Sequence, residues 1–145
     1  MAKKDIDTYL KMKISEMNQQ ELIVFLYESA INLMEESKAT IGSGDLQGTH
    51  QRLNRARNIF LHLLGTLNME GQGKAVASKL SALYAYFVEK ITMANTTKNV
   101  RDLDDILPIV SDLKGAWENM KPTSNEPGPP LKNSSLDSSL ISMEV

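Results

Sequence analysis

Residues 18 to 34 run Asn18-Gln19-Gln20-Glu21-Leu22-Ile23-Val24-Phe25-Leu26-Tyr27-Glu28-Ser29-Ala30-Ile31-Asn32-Leu33-Met34, and this stretch decides the fold. Asn18 is placed to accept from the free amides of a first helical turn, and Glu21, at the third helical position, to reach back and close a capping box. Met17 and Leu22 have the spacing of the hydrophobic staple that accompanies such a box. Two apolar stripes then run side by side. One holds Leu22, Leu26, Ser29 and Leu33, with Phe25 beside it. The other holds Ile23, Tyr27, Ala30 and Met34, with Ile31 alongside. A surface helix needs an apolar arc of roughly 100°, and this one is wider. Either it is the most buried helix of its domain, or part of the second stripe lines a groove where another helix docks. The two are compatible.

Working outward, Gly42-Ser43-Gly44 stops this helix near Ile41, and Asp45 caps a second. There Leu46, Leu53, Ala56, Phe60, Leu63 and Leu67 recur at spacings close to a helical period. Asn68 to Gly73 forms a break with two glycines. A third helix starts near Lys74, carries Ala77, Leu80, Tyr84, Phe87, Ile91 and Ala94 on one face, and frays through Asn95-Thr96-Thr97-Lys98. Asn99 caps a fourth, in which Leu103, Ile106, Val110, Leu113, Trp117 and Met120 step by three and four. Pro108 removes one main-chain donor inside it, but the pattern continues in register, so a bend is expected and not an end. Four helices of about 20 to 24 residues, each roughly 30 Å long, with short loops predict an all-α, antiparallel up-down-up-down four-helix bundle over residues 18–121. Ahead of it, residues 1–17 hold Tyr9, Leu10, Met12, Ile14 and Met17 at irregular spacing, which predicts a mobile arm that covers an apolar groove. Behind it, residues 122–145 are rich in proline and serine and predict a disordered tail.

Composition excludes much chemistry. The chain has 145 residues, a net charge of −2 and no cysteine, so it has neither a disulfide framework nor a Cys-based zinc site. The charged N-terminus argues against a secretory signal, no stretch reaches the ~18 apolar residues of a membrane span, and a cytoplasmic protein is expected. Arg52, Arg55 and Arg57 form a solvated helix face and not a nucleic-acid footprint. His50 and His62 stand about 120° apart around a helix and some 18 Å along it, too far to share a metal. No Glu-x-x-His, phosphate loop or nucleophile elbow occurs. His50 as a phosphoryl acceptor lacks the lysine and small residue such sites use. Neither an enzyme nor a cofactor or metal site is expected.

Several segments resemble the flagellin-specific export chaperones of the bacterial flagellum, the FliS family. They are Tyr9, the run Glu21-Leu22-Ile23-Val24-Phe25-Leu26-Tyr27-Glu28-Ser29-Ala30-Ile31, and His50…Leu53…Ala56…Ile59. The series continues through Leu67-Asn68-Met69-Glu70-Gly71 and Ala77…Leu80…Leu83-Tyr84…Tyr86 to Ala94-Asn95 and Leu113…Ala116-Trp117. The family often opens its first helix with Ser-Pro, where Met17-Asn18 stands here, and follows the tyrosine with Asp-Gly, where Glu28-Ser29 stands here.

The resemblance implies a chaperone that wraps the disordered C-terminal segment of flagellin as helices in surface grooves, prevents its premature polymerisation, and delivers it to the flagellar export gate. Regulators of flagellar assembly are further implied partners. Tyr9 and Ile14 of the arm with Ile23, Tyr27 and Ile31 of the first helix are the expected groove residues, joined by Tyr84 and Asn95. For each tyrosine the alternative is a core aromatic with its hydroxyl at the rim; for Asn95 it is a helix C-cap. Two other functions would use the same apolar excess: a bundle that self-associates, and an adaptor for another secretion client.

Overall fold

The computed structural model describes residues 8, 11, 12, 15–71 and 73–120. Tyr9, Ile14 and the tail at 122–145 therefore lie outside the described residues. Those described ahead of the bundle, 8, 11, 12, 15 and 16, have helical backbone, although their apolar spacing gave no helical pattern.

Helix α1 spans Gln19–Ser43. Its capping box forms as the sequence requires: the Glu21 amide donates to Asn18 Oδ1 at 2.8 Å, and the Asn18 amide donates to Glu21 Oε1 at 3.1 Å. Gly44 closes it in the left-handed region at φ 80°, a conformation glycine adopts without steric penalty. Asp45 caps α2, Leu46–Thr66, by accepting from the Gly48 amide. Helix α3 spans Lys74–Thr97 and ends on Lys98 at φ 53°. Helix α4, Val100–Glu118, is capped by Asn99 and runs through Pro108 without a break.

Each helix packs on the two that flank it in a ring, with the α3–α4 pairing the sparsest. Bonds at the helix ends set the directions. Gln20, at the start of α1, donates to the carbonyls of Trp117 and Met120 at the end of α4. Thr40, near the end of α1, bonds Thr49 in the first turn of α2. Lys90, late in α3, meets Asp102 and Asp105, early in α4. The result is the antiparallel bundle that the four periodicities imply.

The core follows the sequence pattern closely. All six apolar positions assigned to the inner face of α3, from Ala77 to Ala94, are buried. Leu46 is the exception in α2: it is the first residue of the helix, lies beyond the reach of its neighbours, and is 60% exposed. Met120 lies past the end of α4 and is exposed too, and Leu113 is only half-buried. At mid-height the rings of Tyr27, Phe60, Tyr84 and Phe87 meet at tilted or edge angles, the arrangements that aromatic quadrupoles favour. The buried hydroxyls are served locally: Ser37 donates to the Leu33 carbonyl, Thr49 to that of Asp45 and Thr66 to that of Leu63.

Candidate functional site

Among the expected groove residues, Ile23, Tyr27 and Tyr84 are completely buried. They face the bundle axis, not an open groove. The reason is geometric: a helix flanked by two others must bury an arc wider than one neighbour demands, so the width of the apolar arc on α1 is taken up by α2 and α4. The hydroxyls of Tyr27 and Tyr84 are not at the rim. They lie 2.6 Å from each other, and Trp117 Nε1 donates to the Tyr27 oxygen at 3.0 Å. Burial raises the pKa of both phenols above the ordinary range, so both stay neutral.

Ile31 and Asn95 are half-buried and reach the surface. Ile31 lies one heptad before Lys38, whose ammonium meets Asp104 of α4 at 2.7 Å, so it borders the α1–α4 furrow. Asn95 is within α3 and does not cap it; the cap is Lys98. Its side-chain oxygen accepts from Lys98 Nζ at 2.6 Å, so its amide donates to His50 Nδ1 at 3.2 Å. That contact makes Asn95 a brace between α2 and α3.

The exposed apolar surface is elsewhere. Lys90, 3.1 Å from Asp105 and 3.6 Å from Asp102, marks the flank of α3 that faces α4. At about 100° per residue, Val76, Leu83 and Tyr86 share that flank, and Met93 lies at its outer edge. On α4 the flank marked by Asp102 continues through Ile109, Leu113 and Met120. Val76 is 54% exposed, Tyr86 36%, Met93 43% and Met120 40%, while Leu83, Ile109 and Leu113 are half-buried. Lys90 Nζ also lies 5.8 Å from the Tyr86 ring centre, a cation–π distance, and Asp105 holds its ammonium charged to higher pH than usual. The side chains form an apolar seam about 25 Å long on α3, along the sparsest packing of the bundle. Apolar strips of this kind bordered by charge mark docking surfaces.

The signal for the seam was present in the sequence. Val76, Leu83, Tyr86 and Met93 make a second stripe beside the Ala77-to-Ala94 face, as the double stripe on α1 does. What the sequence lacked was the orientation of α3 against α4, which only the Lys90 pairing supplies. Among the described residues, no group of three or more His, Cys, Asp or Glu side chains is placed to hold a metal ion, and no helix is long and apolar enough to cross a membrane.

Comparison with known proteins gives one consistent answer. The family model for flagellar protein FliS matches residues 1–124. The flagellar secretion chaperone FliS of Vibrio cholerae is 30% identical over 110 residues, which cover 76% of this chain and 80% of that protein. Its counterpart from Campylobacter jejuni is 30% identical over 98 residues, covering 68% and 76%. A crystal structure of a flagellar chaperone from bacteria has the same fold, with a TM-score of 0.65 at 23% identity over 81% of this chain and 95% of that one. The family match takes in the whole bundle, and the relatives are covered over most of their length: the chain belongs to the FliS family of flagellar secretion chaperones.

Proposed function

We propose that the client of this chaperone is flagellin, that the C-terminal segment of flagellin docks as helices along the α3–α4 seam, and that the complex is carried through the cytoplasm to the flagellar type III export gate. The observation that supports this most is the seam itself, an exposed apolar strip on a member of a secretion-chaperone family. Its length accommodates about 17 helical residues. A segment that folds on docking gives up about 2–5 kcal/mol of its gross interaction energy in ordering, which keeps the complex reversible enough for hand-over. No catalysis is involved. Regulators of flagellar assembly would compete for the same strip.

In this proposal the arm at 1–17, with Tyr9 and Ile14, covers the α1–α4 furrow beside Ile31 when no client is bound, and Ile31 and Asn95 extend the client contact onto the α1–α4 and α2–α3 furrows. Ile23, Tyr27 and Tyr84 act from beneath by holding the helices that carry the surface.

The test is substitution on the seam. Val76→Glu combined with Tyr86→Glu is expected to weaken flagellin binding at least ~10-fold by calorimetry, because central apolar anchors carry most of the energy of such interfaces. Both sites are exposed, so thermal stability should barely change. Leu61→Glu on α2, where the side chain is 43% exposed, should leave the affinity within about two-fold, as expected for a residue outside the energetic centre. Equal losses from both variants would remove the seam from the proposal.

A further inference from the structure

The end of the bundle where α4 finishes carries an unbalanced charge. Gly73 gives α3 no side-chain cap, and the first turn of α3 holds no acid, so the positive end of the helix dipole is left unneutralised. Lys74 and Lys79 add to it. Neither pairs with a carboxylate among the described residues. Lys79 lies between Val76 and Leu83 on the seam flank, so this half of the seam is both apolar and basic. At the other end Lys90 is already neutralised by Asp102 and Asp105.

The segment that leaves the bundle at this same end has the complementary pattern. Residues beyond 124 fall outside the family match. From Pro122 onward the chain has Glu126, Asp137 and Glu144 against Lys132 alone. Its last ten residues are Leu136-Asp-Ser-Ser-Leu140-Ile141-Ser-Met143-Glu144-Val145. Leu136, Leu140 and Met143 stand at i, i+4 and i+7, the spacing with which a helix presents one face to a groove. Asp137 and Glu144 border that face, and Ile141 lies beyond them. Fifteen residues separate Met120 from Leu136 and span up to ~50 Å when extended, about twice the seam. The reach is sufficient without strain.

We infer that residues 136–145 dock back on the basic half of the α3–α4 seam as an intramolecular occupant. Leu136, Leu140 and Met143 lie against Val76, Leu83 and Met120, with Asp137 and Glu144 beside Lys79 and the uncapped start of α3. Tethering supplies an effective concentration on the order of millimolar, so a segment too weak to bind when free still fills the site. Docking there places the tail in competition with any helical client for half the strip, a device that lowers client affinity until the client displaces it. The inference rests on the seam being the docking surface proposed above.

The absence of cysteine from the chain makes the test direct. Ser142→Cys in the full-length protein gives a single spin-label site, read by NMR on isotope-labelled methyl groups with no client present. The expected result is selective broadening of Val76, Leu83 and Met120, with Met93 and Ile41 left sharp. Adding Leu136→Asp and Leu140→Asp to the labelled chain should restore the lost intensity, and Lys79→Glu should restore part of it. Spin-labelled copies without isotope, mixed with isotope-labelled copies without spin label, should broaden nothing. Uniform or absent broadening, or broadening untouched by Leu136→Asp and Leu140→Asp, overturns the inference. Broadening in the mixed sample overturns it in favour of a second copy of the chain. None of these outcomes touches flagellin binding, which stands or falls with the Val76 and Tyr86 substitutions.

Discussion

Truncating Phe60 to alanine is expected to lower the unfolding free energy by about 3–5 kcal/mol, the range for deleting a fully buried aromatic ring. Phe60 is 0% exposed and is the hub of the aromatic centre. Its ring centre lies 5.1 Å from that of Phe87, 6.1 Å from Tyr84 and 6.4 Å from Tyr27. Removing it forfeits those pairings, each contributing about 0.5–1.5 kcal/mol beyond burial, and opens a cavity that rings anchored on α1 and α3 cannot fill. Against a total stability on the order of 5–15 kcal/mol, such a loss decides whether the bundle stays folded. Urea denaturation followed by circular dichroism measures it; a change under about 1 kcal/mol would mean that the four rings do not pack as described.

The second large effect comes from one oxygen atom. Tyr27→Phe removes the hydroxyl that accepts from Trp117 and bonds Tyr84, leaving an indole N–H and a phenol O–H buried without partners. At about 1–3 kcal/mol for each orphaned group, the expected loss is roughly 2–4 kcal/mol, although the cavity is a single atom. Tyr84→Phe is chemically the same deletion, yet it leaves the Trp117–Tyr27 bond intact, so about 1 kcal/mol is expected. The order of the two is the prediction, and reversal would contradict the hydrogen-bond assignment. The pair also has an alkaline signature. Burial raises the folded-state pKa of both phenols above the ordinary value of 10.0, so their contribution to stability is complete below pH 10. It falls as pH rises further, because only the unfolded chain releases these protons. Either phenylalanine variant should flatten that fall. Because the network joins α1, α3 and α4, Tyr27→Phe should also loosen the two helices that carry the seam.

The helices were legible because each obeys local rules that the sequence displays. Asn18 with Glu21, Asp45 with Gly48 and the αL position of Gly44 mark ends, and the spacing from Ala77 to Ala94 marks a face. Tertiary packing agreed with those local signals, and even Pro108 left the register of α4 intact. The site was less legible. Periodicity shows that a side chain is on an apolar face, not whether that face meets a neighbour within the bundle or a partner outside it. Ile23 and Tyr27 have the spacing of groove residues and are interior. Val76, Tyr86 and Met93 have the same spacing and are exposed. Met120 continues the core pattern of α4 and yet emerges into solvent because the helix has ended. Only the ring order of the helices separates these cases, and it is set by contacts distant in sequence, such as Lys90 with Asp105. Tyr9 and Ile14, the expected groove residues of the arm, lie outside the described residues.

In the function proposed above, flagellin is held by its C-terminal segment. Co-purification with the flagellin of the same organism, full-length and lacking that segment, tests it most directly. A 1:1 complex with the full-length protein and none with the truncated one is the expected result. Equal binding of both, or of neither, would contradict it.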